Sequence, residues 1–169
     1  SAYAFPTMGE VTMESLKQIL GRLAKMGIET IFMDAGDGRG GWIRQVKSSN
    51  DSKNPSHYQL GLNSNHSAAT QFVTLAHELA HLYLGHLGAD VYLKVPDRMS
   101  LSLAEREVEA EMTAFLVAKR NDLSPRSESY LEKYQKAFAS LDLYAITRVA
   151  NVVETTMGVA AHQLKKKTE

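Results

Sequence analysis

Apolar residues recur at helical spacing near the start of the chain and again through its second half. In the first segment they follow Thr12, a residue type favoured at helix N-caps, and stop before Gly27, a residue type that often ends helices. These apolar residues are Leu16, Ile19, Leu20, Leu23 and Met26. Similar spacing predicts helices over about residues 69–87, 102–120 and 143–157, and another that starts near Ser127, after Ser124-Pro125 interrupts the pattern.

Short β-strand patterns lie between the first helix and the helical half. Residues 30–33 and 42–46 flank a glycine-rich turn at 36–41, which predicts a β-hairpin, and residues 58–62 form a third short strand. The predicted fold class is therefore α+β, with an N-terminal helix and a small antiparallel sheet followed by a mainly helical half. We expect a single domain over residues 1–169, with an irregular arm at 1–9 and a frayed tail at 160–169.

Composition narrows the class of protein. The 169 residues are 44% hydrophobic and 22% charged, which is typical of a globular domain with a substantial core. The 19 basic residues balance the 19 acidic ones, so binding to nucleic acid through bulk charge is not expected. No apolar run reaches the roughly 18 residues of a membrane span, and the lack of cysteine excludes disulfides and thiolate chemistry. Without a recognisable leader peptide, the expected location is cytoplasmic.

An H-E-x-x-H motif, from His77 to His81, carries the candidate chemistry. Residues four apart lie on one face of a helix, so the imidazoles of His77 and His81 can converge on one metal ion. Glu78 is rotated by about 100° from His77, beside the metal, where its carboxylate can accept a proton from water. The surrounding helix is apolar, and burying these three side chains is costly unless a metal satisfies them. The alternative is a surface helix that carries histidines by chance.

A catalytic zinc site needs a third protein ligand, and the sequence offers two sources. His86 lies five residues after His81, one short of the metzincin spacing, so we expect it to be an N–H donor or a helix-end residue. In the next helix Glu107 and Glu111 share a face, so one carboxylate can ligate the metal while the other accepts the free N–H of a ligating histidine. Glu109 is rotated by about 200° from Glu107 and is expected to face elsewhere. Alternatively, these glutamates serve only the helix dipole and solubility.

These segments resemble the ImmA/IrrE-type zinc metallopeptidases and the related C-terminal domain of ArdC antirestriction proteins. Residues 58–63 and 71–86 are similar to that family's strand, loop and zinc-helix signature, and residues 107–111 to its acidic segment. Residues 129–134 and the helix through residues 146–153 look more like the ArdC region. The resemblance spans roughly residues 28–157. It implies a zincin-like metalloprotease fold with a gluzincin-like zinc site.

The resemblance also implies a role for each site residue. His77, His81 and Glu107 would hold Zn²⁺, and Glu111 would be the hydrogen-bond partner behind a ligand. Glu78 would be the catalytic base that activates water and then protonates the leaving amine.

A donor that helps to stabilise the oxyanion is usual in such sites, and Tyr130 and Arg148 are the candidates. If the hairpin or the strand at 58–62 presents a free edge above the zinc helix, an extended substrate can add to it as a further strand.

Three classes of function follow from these observations. The leading hypothesis is a zinc endopeptidase that cleaves a specific cytosolic protein, and the resemblance implies a DNA-binding repressor or another regulator in a mobile element or stress response. The second is a non-catalytic zinc-containing module that acts in antirestriction or regulation by contact. The third is a nucleic-acid binder that uses residues 165–167 with Arg39 and Arg44, and zero net charge makes it the weakest.

Overall fold

Four helices and five short strands make up the part of the chain that this computed structural model describes, residues 7–8, 10–36, 38, 40–125 and 141–159. The predicted helix that starts near Ser127 lies outside the described residues. So do Tyr130 and the tail at 160–169. In chain order the elements are β1 (Thr7–Met8), α1 (Met13–Lys25), β2 (Ile28–Met33), β3 (Gly41–Lys47), β4 (His57–Asn63), α2 (Ala68–Tyr83), α3 (Leu103–Arg120), β5 (Ser124–Pro125) and α4 (Leu143–Met157).

The main sheet has three strands in the order β2-β4-β3. β2 runs parallel to β4, with Ile28 opposite Tyr58, whereas β3 runs antiparallel to β4, with Ile43 opposite Leu60. The predicted hairpin between β2 and β3 is therefore wrong, and the sheet is mixed rather than purely antiparallel. The physical reason is burial: β4 has the most buried side chains of the three strands, so it takes the central position and separates the two strands that the glycine-rich turn connects.

The central position of β4 changes which strand can accept an extended partner. Both sides of β4 are paired, so residues 58–62, one of the two candidate strands, present no free edge. Within the described residues β3 pairs with β4 alone, and its other side is an edge of this sheet. Because β3 also contacts α2, the helix that carries the H-E-x-x-H motif, its edge is the one next to the candidate site.

The ends of α1 follow the sequence signals. The Oγ1 atom of Thr12 accepts a hydrogen bond from the backbone N–H of Ser15 at 3.0 Å, which is the expected N-cap. Gly27 adopts φ +85°, a left-handed conformation that suits glycine, and the chain turns there into β2. Near the N-terminus, β1 pairs with β5, which corrects the expectation of an irregular arm at residues 7 and 8.

Helix α2 is the central element of the core. It contacts β3, β4, α1, α3 and α4, and nearly all of its side chains are buried, including the polar His77 and Glu78. Ser67 caps its N-terminus by accepting the N–H of Thr70. The helix ends at Tyr83, earlier than predicted, because the chain takes φ +79° at Gly85 and leaves the helical path.

Helices α3 and α4 complete the helical half. α3 begins at the predicted position with a capping box between Ser102 and Glu105, and it packs against both α2 and α4. The fold is therefore α+β, as predicted, with the sheet and helix α1 preceding the helical half. Among the described residues, no helix combines the length and the apolar character that crossing a membrane requires.

Candidate metal centre

Helices α2 and α3 bring three potential metal ligands together. His77 and His81 lie one turn apart on α2, and Glu107 faces them from α3. The two Nε2 atoms are 3.0 Å apart, and the Glu107 carboxylate oxygens lie 3.4 Å from Nε2 of His77 and 3.2 Å from Nε2 of His81. One ligand atom from each residue lies within 4.8 Å of the others, so the group could hold a metal ion. The structure thus brings together the three side chains that the sequence singles out.

Glu111 lies behind His77, one turn after Glu107 on α3. Its Oε2 atom accepts a hydrogen bond from the Nδ1–H of His77 at 3.0 Å, and both residues are buried. A carboxylate can only accept this bond, so it fixes the proton on Nδ1 and turns Nε2 toward the cluster. This contact matches the geometry expected for Glu111.

His86 lies behind His81 in the same way. The Nε2–H of His86 donates to Oε1 of Glu109 at 2.8 Å, and the two Nδ1 atoms of His86 and His81 are also 2.8 Å apart. Burial lowers the pKa of His86, which keeps this ring neutral with a lone pair on Nδ1. Nδ1–H of His81 therefore donates to His86, and the lone pair of His81 Nε2 is left for a metal. His86 is an N–H donor, as expected, and not one of the clustered ligands.

An ion pair between the buried Glu109 and the partly exposed Arg98 anchors the His86 contact. Glu109 accepts hydrogen bonds from Arg98 at 2.8 Å and 2.5 Å, and the same guanidinium donates to the carbonyl oxygen of Leu84 at 2.9 Å. Glu109 does face away from the cluster, as predicted, but it supports His81 through His86. Arg98 is missed by the sequence analysis because it lies in the irregular segment between α2 and α3, where no periodic pattern indicates its direction.

Without metal, one proton lies between the Nε2 atoms of His77 and His81. Burial would lower the pKa of His77, but hydrogen bonds to Glu107 and Glu111 outweigh it and raise this pKa to about 10. Burial lowers the pKa of His81 to about 4. Burial would raise the pKa of Glu107, but the hydrogen bond from His77 and the positive charge on that imidazole hold it well below its usual range. At neutral pH, therefore, His77 donates an Nε2–H to the lone pair of His81.

Glu78 is buried beside this cluster and differs from the other acidic groups in having an unused oxygen. Its Oε1 atom is buried and has no hydrogen-bond partner among the described residues. Burial raises the pKa of Glu78 to about 6, close to the pH at which a group can both accept and release a proton. An unpartnered buried carboxylate oxygen is costly, and such atoms are concentrated at functional sites.

The donor set fits a divalent metal. Two neutral imidazole nitrogens and one carboxylate oxygen are the ligands of many catalytic zinc sites, and each imidazole here has the buried partner that such ligands require. A divalent cation would take the place of the proton that the metal-free cluster holds.

The cluster opens into a cleft of about 160 Å³. Trp42 and Ile43 of β3 line one side of it. Arg148 is exposed on α4 and does not line the cleft, so its predicted helper role gains no support. Arg44 hydrogen-bonds Gln59 and lies over the Trp42 ring, so its guanidinium is engaged within the sheet. The cleft is lined by Trp42, Ile43, Glu78, His81, His86, Leu87, Leu103, Arg106 and Glu107.

A comparison with protein families agrees with this geometry. The model of the peptidase M78 family, described as an IrrE N-terminal-like domain, matches residues 23–165. The chain belongs to this family. Membership in the peptidase M78 family confirms the ImmA/IrrE resemblance and the zincin-like fold, and it supports a metallopeptidase-type function. The relation to ArdC proteins stays a prediction. Searches of curated proteins and of solved structures gave no match.

Proposed function

We propose that this chain is a zinc-dependent endopeptidase. The observation that carries the proposal is the cluster of His77, His81 and Glu107 with the buried, unpartnered Oε1 of Glu78 beside it. A purely structural metal site would leave no reason to keep a free carboxylate oxygen at the same cleft. Zinc is the metal proposed, since a tight set of two imidazoles and one carboxylate with no thiolate is typical of hydrolytic zinc sites.

Zinc bound here would supply Lewis acidity, which polarises the scissile carbonyl group and favours ionisation of water. Glu78 then accepts the proton of the attacking water at Oε1 and passes it to the nitrogen of the leaving amine. Burial raises the pKa of Glu78, which makes its carboxylate a better proton acceptor than an exposed glutamate. Glu111 and His86 hold the two imidazoles in the tautomers that ligation needs.

The substrate is proposed to bind in an extended conformation along β3. This strand has an unpaired side within the described residues, and its Trp42 and Ile43 line the cleft that leads to the cluster. An extended peptide can therefore gain main-chain hydrogen bonds from the strand while its side chains contact the cleft walls. The resemblance suggests a DNA-binding repressor or another cytosolic regulator, linked to a mobile element or a stress response, as the protein that is cleaved.

The test is a Glu78→Gln variant, which keeps size and shape but cannot hold the transferred proton. We expect it to bind zinc within a few-fold of the unmodified chain and to lose about 10²- to 10⁴-fold in peptide-bond hydrolysis. Glu105→Gln is the matched control, because it makes the same change in the capping box of α3, where glutamine is also tolerated. Unchanged hydrolysis by Glu78→Gln would contradict the mechanism. If the regulatory or antirestriction function survives in Glu78→Gln but is lost together with the fold in His77→Ala, the non-catalytic module is the correct alternative.

A further inference from the structure

Arg106 is a cation of the cleft that the proposed mechanism does not use. It lies in the first turns of α3 and lines the cleft together with Glu78, His81 and Glu107. Its Nε–H is buried and has no hydrogen-bond partner among the described residues. The residue as a whole is partly exposed, but a buried N–H without an acceptor is costly, so its position there needs a reason.

The neighbouring carboxylates on α3 are already committed to other groups. Glu105 accepts from the N-cap residue Ser102, Glu109 pairs with Arg98 and His86, and Glu107 faces the two histidines of the cluster. The positive charge of Arg106 is therefore left to act on the cleft itself.

The position of Arg106 separates it from the metal ligands. It precedes Glu107 by one residue and is rotated from it by about 100°, while it shares a helix face with Leu103, one turn earlier. Leu103 is 65% exposed and lies at the rim of the same cleft. Arg106 and Leu103 therefore line the cleft from a face of α3 next to the one that carries Glu107, where a side chain next to the scissile bond would meet them.

We propose that Arg106 forms an anion-binding subsite that selects peptide substrates with an Asp or Glu side chain adjacent to the scissile bond. This inference rests on the proposed peptidase function and adds a substrate class to it. A guanidinium binds a carboxylate through two parallel hydrogen bonds, and the apolar walls formed by Leu87 and Leu103 contact the methylene groups of the bound side chain. Zinc would offset the negative charges of Glu78 and Glu107, so that an acidic side chain meets no net repulsion there.

The test measures binding rather than cleavage. Trp42 is the only tryptophan of the chain and lines the cleft, so its fluorescence reports directly on peptide binding. Zinc-loaded Glu78→Gln protein is titrated with tryptophan-free peptides that are blocked at both ends and differ only in Asp against Asn, or Glu against Gln, at one position. For one substituted position, we expect the acidic peptide to bind about tenfold more tightly than its amide counterpart. That difference is the effect of one charge-assisted hydrogen-bonded pair.

Variants assign that preference to Arg106. When Arg106→Gln is added to the Glu78→Gln protein, the ratio of the affinities for the acidic and amide peptides should fall to about one. Arg106→Lys should keep part of the preference. Lys119→Gln, which removes an exposed cation from the far end of the same helix, should leave the ratio unchanged. Equal binding of both peptides, no binding of either, or a preference that persists in Arg106→Gln would overturn the proposal.

Cleavage assays separate this inference from the proposed function. If the unmodified chain cleaves peptides without regard to acidic residues, the subsite is wrong and the peptidase function stands. If the binding preference is present but no peptide is cleaved, the subsite stands and the peptidase function is wrong. If Arg106→Gln lowers kcat equally for acidic and neutral peptides, the residue acts on the reacting carbonyl group and the subsite is wrong.

Discussion

Replacing Glu111 with glutamine tests whether the buried partner of His77 controls metal affinity. In the structure, Nδ1–H of His77 donates to Glu111 at 3.0 Å, and the two residues are 2% and 3% exposed. Glutamine keeps an oxygen that can accept this hydrogen bond but removes the negative charge that makes the imidazole a better ligand. The buried position leaves little access for water to take over the role of the carboxylate.

The expected loss follows from that geometry. Loss of a hydrogen-bond partner behind a metal-ligating histidine costs about 10- to 100-fold in affinity, or about 1.4–2.7 kcal/mol. We expect Glu111→Gln to fall near the tenfold end, because the accepting oxygen remains, and Glu111→Ala near the hundredfold end, because it does not. Glu105→Gln makes the same chemical change on the same helix away from the cluster, and its zinc affinity should equal that of the unmodified chain.

The assay is a competition for zinc between the metal-free protein and a chromogenic chelator at fixed pH and ionic strength. Far-ultraviolet circular dichroism should show that all three variants keep their helices. If Glu111→Gln binds zinc as tightly as Glu105→Gln, then the contact seen between Glu111 and His77 does not tune the ligand, and the reasoning from buried partners fails.

Four further predictions follow: two concern the proton on His77, one the chain turn after α2, and one the core. Zinc binding near pH 8 should release about one proton, because His77 has a pKa raised to about 10 and must lose its Nε2 proton to bind the metal. Calorimetry in buffers of different ionisation enthalpy measures the number of protons released. That pKa lies above the unfolded value of about 6.5, so the metal-free chain should lose stability as pH rises from 6.5 to 10, as urea unfolding would reveal. Gly85→Ala should lower the melting temperature by several degrees, since alanine at φ +79° is strained and its Cβ clashes with the carbonyl oxygen of Pro96. Leu79→Ala should cost about 2–5 kcal/mol in urea unfolding, because the side chain is fully buried; a cost below 1 kcal/mol would contradict the central position of α2.

The local part of the site could be predicted from sequence because helical spacing fixes it. His77 and His81 are four residues apart, as are Glu107 and Glu111, so each pair shares a face whatever the tertiary fold. Their meeting across α2 and α3 was expected because a catalytic zinc site needs a third protein ligand and because the family resemblance gives that role to Glu107. The structure adds the distances that bring the two pairs together.

The parts that could not be predicted depend on contacts between segments far apart in sequence. The turn at residues 36–41 was recognised, but a turn does not say whether its flanking strands pair with each other, and here β4 lies between them. The rotation per residue of a helix correctly predicted that Glu109 faces away from Glu107. No periodic pattern indicated that Arg98 and His86 would contact Glu109 there. In the sequence nothing distinguishes Arg106 from an ordinary exposed cation, and only the tertiary structure places it in the cleft.

The most direct test of the central claim is X-ray absorption spectroscopy of the zinc-loaded protein at the zinc edge. We expect a shell of nitrogen and oxygen ligands at about 2.0–2.2 Å, with the outer-shell scattering of two imidazole rings and no sulfur. His81→Ala should reduce the imidazole contribution to one ring. A spectrum from the unmodified chain with one imidazole or none would mean that His77 and His81 do not hold the metal together, and the proposed metal centre would be wrong.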